Sequence, residues 1–378
     1  MGLSPPPFYF VCHGLAKHAQ RIHKFIMLWG RRGKRSGLGQ FIYGARYRLG
    51  EYALRAFVAA LPWFPYRALV VFTNFWAWVT FRCLSQYRKR MLANVTKALG
   101  DTIPKPGERK ALVWRAWKNF AWSVLETSAL MHLSKERIIS NTQLDGEEHL
   151  QRALERGRGV LALSAHLGSF ATIGPRLAAS GYPFSVVVKQ PRDERFAQLM
   201  NDCRARVGVH TISAKPRREA VRGILRALRN NRIVLVIADE FKSTGITVDF
   251  MGQRSAAPRG PATLALRTGA VTLPMFAIRQ PDHSLILSVE PEIKPIQKDD
   301  LEESVAATTA LFTRHLEDMI RRYPEQWNWI GFPRENRVSR KAYARRVAAV
   351  KGAGETAPGS TSTSESTADS GANSQKDI

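Results

Sequence analysis

The sequence predicts an α/β fold with a mixed, mainly parallel sheet, preceded by an N-terminal helical, membrane-associated layer. Apolar, β-branched runs at 158–165, 184–188, 232–238, 271–279 and 284–290 alternate with helical stretches at 146–156, 192–207, 217–230, 260–268 and 301–322. That order is expected of strands joined by helical crossovers. Ahead of it, residues 86–140 place Trp114, Trp117, Phe120, Val124 and Leu125 at helical spacing, which predicts a preceding layer of helices. An aromatic-rich apolar segment before that layer supplies the membrane-associated part.

The elements divide the chain into four parts. Residues 1–45 form a basic arm: the first fifty positions hold no Asp or Glu and nine Lys or Arg, from Lys17 to Arg48. Residues 46–84 are the membrane-associated segment. Ala68 to Phe81 gives only fourteen uncharged residues, against roughly 20 for a bilayer span. Arginines flank it on both sides, Arg46, Arg48 and Arg55 before and Arg82, Arg88 and Arg90 after, whereas a spanning helix concentrates them on the cytoplasmic side. The expectation is a segment lying along or dipping into the cytoplasmic leaflet, with Trp63, Trp76 and Trp78 at headgroup depth and the arginines on anionic lipid. The plainer alternative is a core helix of a soluble domain. Residues 85–350 make the α/β domain. Residues 352–378 are Gly, Ser, Thr and Ala with few charges and no apolar periodicity, a composition that predicts a disordered tail.

Composition narrows the function. The chain has 378 residues, 44% of them hydrophobic, so it can bury a sizeable core, and its net charge of +26 implies a polyanionic partner. Nucleic acid, anionic lipid and an acidic carrier protein all qualify. Nucleic-acid binding is disfavoured: the aromatic residues sit in apolar Trp-rich segments, and no RNP, KH or zinc signature is present. Cys12, Cys83 and Cys203 are scattered, giving neither a disulfide framework nor a metal-ligand spacing, so no metal is expected. The start of the chain lacks the pattern of a secretory signal peptide, and no P-loop or GxGxxG element points to a nucleotide.

The chemistry concentrates in LALSAHLGSFATIGP, residues 161–175, an apolar run that stops at His166 and a glycine turn. A histidine at the carboxyl end of a buried strand stands at the crevice where open α/β sheets place their sites. Its ordinary pKa suits a general base at neutral pH; a capping or packed histidine is the alternative. Asp239 and Glu240 end the run IVLVIA and so point to the same sheet edge. Arg192, Arg195, Arg204 and Arg206 fall on one predicted helix and could present a basic face to phosphate or to an acidic carrier; a solvated helix face is the other reading.

These residues bring a resemblance into view. LDGEEHLQRALERGRGVLALSAHLGSF resembles the region of bacterial lipid A late acyltransferases, and of related membrane glycolipid acyltransferases, that carries an HxxxxE or HxxxxD motif. Further matches are YRKRMLANV at 87–95, the Arg204-x-x-x-Gly208 step, Asp239, the stretch VDFMGQRSAAPRGPATLALRTGAVTLP, and the ending RRYPEQWNWIGF. The resemblance covers about residues 45–335, and Pro324–Trp329 is its most specific piece. It implies a glycerol-phosphate-acyltransferase-like α/β domain at the cytoplasmic face of a bacterial inner membrane. The implied reaction moves a fatty acyl group from an acyl carrier protein or coenzyme A thioester to a hydroxyl of a membrane glycolipid such as a lipid A precursor, without a cofactor. It also implies His166 as base and basic or backbone donors for the thioester oxygen; Gly168, Ser169, Arg192 and Arg204 are the candidate substrate-binding residues.

The chain departs from the motif in one place: the fifth residue after His166 is Ala171, and a methyl group cannot orient an imidazole. Three accounts stay open. Asp239 or Glu240 supplies the carboxylate from the neighbouring strand; His166 works alone; or the chain is a catalytically impaired relative that binds lipid or acyl carrier protein without turnover. The first keeps catalysis ahead, with His166 and Asp239 as the catalytic pair.

Overall fold

The computed structural model describes residues 65–333, apart from 131, 132, 192 and 242–244, and four isolated positions before them. The basic arm, the start of the expected membrane segment including Trp63 but not the four isolated positions, the tail and Arg192 lie outside the described residues.

Three helices come first. Helix α1 (Tyr66–Cys83) starts after Pro65 and breaks at Leu84, where the chain bends by 88° into α2 (Ser85–Leu99); α3 (Pro106–Ala129) opens on a proline, whose missing N–H costs nothing in a first turn. Trp117 on α3 donates its indole N–H to Thr80 at 3.0 Å. Phe81 meets Trp114 and Trp117 edge-on, with centroids 5.0 and 5.9 Å apart. One face of α1 is therefore packed. Its other face leaves Val71, Phe75, Trp76 and Trp78 exposed, so α1 is not the fully buried helix of the plainer alternative. Among the described residues no single helix is long and apolar enough to cross a membrane, though α1 and α2 would pass as a bent pair on length and composition.

After α4 (Lys135–Asn141) the α/β alternation begins: β1 (Thr142–Asp145), α5 (Glu147–Glu155), β2 (Val160–Ser164), α6 (Ile173–Ala179), β3 (Phe184–Val188), α7 (Glu194–Arg206), β4 (His210–Ser213), α8 (Arg217–Arg229) and β5 (Ile233–Ile237). The hairpin β6 (Ile246–Phe250) and β7 (Gln253–Ala257) follows, then α9 (Gly260–Thr268), β8 (Val271–Arg279), β9 (Leu285–Val289) and α10 (Leu301–Arg322). The main sheet runs β1-β9-β8-β2-β5-β3-β4. Neighbours from β8 to β4 are parallel; β9 is antiparallel to β8, and β1 is parallel to β9. The expected mixed, mainly parallel sheet and the helical layer ahead of it are both present.

The sheet is covered on both faces, which explains the near-continuous apolar strands. In β2, Leu161 and Leu163 enter the core shared with α2, α3, α9 and α10, while Val160 and Ala162 enter the core shared with α5 and α6, the two-residue alternation of a strand. Two short strands and the β6–β7 hairpin have no counterpart in the sequence reading. β1 and β4 are four-residue edge strands with polar residues. The hairpin turns through Met251 and Gly252, both at positive φ, the geometry of a two-residue hairpin turn.

Candidate active site

The site follows from strand register. β2 and β5 are parallel, with Val160 opposite Ile233 and Ser164 opposite Ile237. The ladder continues one step further through the Ala238 N–H, which donates to the Ser164 carbonyl at 2.9 Å. His166 and Asp239 each lie two residues past the paired strand ends, and so emerge side by side at the carboxyl edge.

Asp239 uses both oxygens on the histidine loop. Oδ1 lies 2.8 Å from His166 Nδ1, and Oδ2 accepts the His166 backbone N–H at 2.9 Å. The Trp327 indole N–H also donates to Oδ2, at 2.9 Å. The carboxylate is only 3% exposed, the imidazole 32%. Because an ionised carboxylate can only accept, Nδ1 carries the proton, and in the neutral ring Nε2 is left with its lone pair. Burial disfavours the charged ring, but the hydrogen bond and charge of Asp239, helped by Glu240, outweigh it and raise the His166 pKa above its ordinary 6.5. Phe170 meets the ring edge-on, 5.0 Å between centroids.

A second segment fixes the loop. Gly168 N–H donates to the Gln326 carbonyl at 2.9 Å, and Asn328 N–H to the His166 carbonyl at 3.2 Å, so 166–168 and 326–328 pair like a short antiparallel ladder. Gly168 has φ +58°, and a Cβ there would stand 2.1 Å from the Ala277 carbonyl oxygen; only glycine fits. Ser169 is buried, and its hydroxyl donates to Glu126 at 2.5 Å. Glu126 in turn pairs with Arg279, whose guanidinium also reaches Asn119 Oδ1 at 2.7 Å. The sequence-expected substrate residues thus separate. Gly168 shapes the turn and lines a cavity, while Ser169 points into a buried network and lines neither cavity described next.

His166 borders two cavities. The larger, about 1080 Å3, is walled by Phe170, Val186, Val188, Met200 and Leu235, with Lys189, Arg204 and Arg259 among its polar residues. Ala171, the position of the missing carboxylate, lies on its wall. Arg204 is held by Thr211 Oγ1 at 2.9 Å and Asn201 Oδ1 at 2.7 Å, and burial lowers its pKa. The smaller cavity, about 310 Å3, lies against α3 and is lined by Trp117, Phe120, Val124 and Ile330. Among the described residues no group of three or more His, Cys, Asp or Glu is arranged to hold a metal.

The family model for bacterial lipid A biosynthesis acyltransferases matches residues 45–332. The chain belongs to that family. It is 32% identical over 133 residues to a phosphatidylinositol mannoside acyltransferase of Mycobacterium tuberculosis, a match covering 35% of this chain and 42% of that protein. The lipid A biosynthesis palmitoleoyltransferase of Escherichia coli is 25% identical over 227 residues, 59% of this chain and 71% of its own length. The lauroyltransferase of the same organism is 24% identical over 254 residues, 65% and 79% respectively. These relatives of the lipid A acyltransferase family share acyl transfer as their named activity and glycolipids as the molecules in their names.

Two contributors to the site had no role in the sequence reading. Trp327 lay within the quoted PEQWNW string but without a partner, and the Glu126–Arg279 pair joins residues 153 positions apart. Only the tertiary fold brings them to the histidine loop.

Proposed function

We propose that this protein transfers a fatty acyl group from an acyl carrier protein or coenzyme A thioester to a hydroxyl of a membrane glycolipid such as a lipid A precursor. The observation that carries the reading is the 2.8 Å contact between His166 Nδ1 and Asp239 Oδ1, at a ring that borders both apolar cavities. Asp239 takes the place of the carboxylate missing at Ala171.

The reaction follows from the free Nε2. It accepts the proton of the acceptor hydroxyl as the oxygen bonds to the thioester carbon, and Asp239 stabilises the imidazolium that forms. Collapse of the tetrahedral intermediate breaks the carbon–sulfur bond, and the imidazolium returns the proton to the departing thiolate. The products are an ester and a thiol, and the enzyme is regenerated. Arg204, on the wall of the larger cavity, is assigned to the donor, at its phosphate or its developing oxyanion. Gly168 lines the smaller cavity, which is assigned to the acceptor, and Ser169 acts through the loop. Arg192 is proposed for substrate binding on its sequence position alone. The work is placed at the cytoplasmic face of the inner membrane, where the exposed aromatic residues of α1 meet anionic lipid.

Ala171 favours a second reading, a relative that binds lipid or carrier without turnover. Transfer of labelled acyl chains to lipid extract separates the two. The native chain should show turnover, and His166→Ala should abolish it. Asp239→Asn should lower kcat by about 10⁴-fold, the scale seen when an orienting aspartate is disabled. Native protein without transfer from any thioester would establish the binding-only reading.

A further inference from the structure

Helix α8 carries five arginines, Arg217, Arg218, Arg222, Arg226 and Arg229, against a single acidic residue, Glu219. Positions 218, 222, 226 and 229 are spaced four, four and three apart, which puts them on one face. All four are exposed, and their side chains make no hydrogen bond or ion pair with the described residues. The opposite face, Ala220, Ile224, Ala227 and Leu228, is buried against the sheet. On the same helix Arg217, Val221 and Leu225 line the larger cavity bordered by His166. The stripe therefore runs along the rim of the cavity whose wall carries Arg204, the residue assigned to the donor.

We infer that the arginine stripe of α8 is the docking face for a small acidic protein that carries the acyl chain as a thioester. The inference rests on the acyl-transfer reading and adds to it the surface at which a carrier-protein donor docks. Two observations favour a protein. Eleven residues of helix span about 16 Å, and none of the four arginines lines the cavity; a row of that length outside the cavity matches a row of carboxylates on a protein surface. An anionic membrane is a poorer fit, because the apolar face of α8 is spent on the sheet and leaves no aromatic or leucine stripe to insert. Among the described residues, most of the exposed large aromatic side chains, Phe72, Phe75, Trp76 and Trp78, are on α1 instead.

Charge complementarity of this kind steers encounter and weakens with salt. The test uses the full chain, holo and acylated acyl carrier protein, an acyl-pantetheine thioester that lacks the protein, and anionic vesicles. In the fourfold variant Arg218→Glu, Arg222→Glu, Arg226→Glu, Arg229→Glu, affinity for the carrier should fall at least about tenfold at low salt, and the salt dependence of the native protein should largely vanish. Transfer from acyl-pantetheine and association with vesicles should be unchanged. The fourfold Arg→Gln variant should give an intermediate loss, which guards against a folding defect in the first.

Unchanged carrier affinity would overturn the inference, as would an equal loss with both thioesters, or loss of vesicle binding with carrier binding retained. Carrier affinity is read without turnover, so the two readings fail separately. A native chain that binds carrier but transfers from no donor would defeat the transfer reading alone. A native chain that transfers from acyl-pantetheine but does not bind carrier would defeat the docking face alone.

Discussion

At the residue scale, the chemistry depends on how many hydrogen bonds one carboxylate receives. Asp239 accepts from His166 twice and from Trp327 once. Removing the indole N–H leaves Asp239 with one hydrogen-bond donor fewer, so that its charge is shared less and it holds the imidazolium more tightly. Trp327→Phe should therefore move the acid limb of the kcat/KM profile to higher pH, because in the proposed mechanism His166 acts as the neutral base and its pKa, already raised above 6.5, rises further. A purely structural effect would lower the melting temperature and leave that midpoint in place, so the pH profile decides. Ala171 makes the converse case. Nδ1 already has its partner, and a carboxylate at 171 would project into an apolar cavity wall at the cost of burying charge. Ala171→Glu should not raise turnover, and kcat/KM for long-chain donors should fall severalfold. Measured activity above native would remove Asp239 from its role.

At the scale of elements, the histidine loop is held between two supports drawn from distant parts of the chain. The 324–329 segment clamps it by backbone pairing, and Gln326 locks that segment to β8 by accepting from Arg279 N–H at 2.9 Å and donating to the Arg279 carbonyl at 2.8 Å. The second support is the Glu126–Arg279 pair, with side chains 18% and 3% exposed. Breaking a buried pair from one side leaves a charge without its partner, at about 3–5 kcal/mol, whereas replacing both sides by apolar groups removes that penalty. Arg279→Met should lower unfolding free energy by about that amount in urea titration. Glu126→Leu combined with Arg279→Met should recover part of the loss. If the double variant were as unstable as the sum of the singles, the pair would not be coupled.

For the whole molecule, the two kinds of exposed surface lie on different layers. Helix α1 belongs to the helical layer and shows Phe75, Trp76 and Trp78 at 54%, 48% and 48% exposure; α8 belongs to the α/β part and shows arginine. Large aromatic groups left in water contribute about 1.5–3 kcal/mol each when buried. Changing these three residues to serine should lower partition onto anionic vesicles by tenfold or more in a flotation assay, with the melting temperature unchanged. Loss of folding stability with vesicle binding intact would mean that this face packs within the protein.

Much of this was written locally in the chain. The alternation of β-branched runs with helical stretches gave the sheet, because strands buried on both faces are nearly continuously apolar, and β2, β5 and β8 are, apart from Ser164, Thr272 and the terminal Arg279. His166 and Asp239 were legible because each ends such a run. The short polar strands β1 and β4 were not, since four residues at a sheet edge carry no periodicity long enough to read. The sequence by itself determined the layers, the basic surface and the two residues at one sheet edge. Only the tertiary structure decided that β2 and β5 are neighbours in the register that sets His166 against Asp239, and that Trp327 and the Glu126–Arg279 pair close on the same loop. Those contacts join positions 73, 88 and 153 residues apart, and no local preference of the chain encodes which distant partners meet; packing and hydrogen bonding of the completed sheet do.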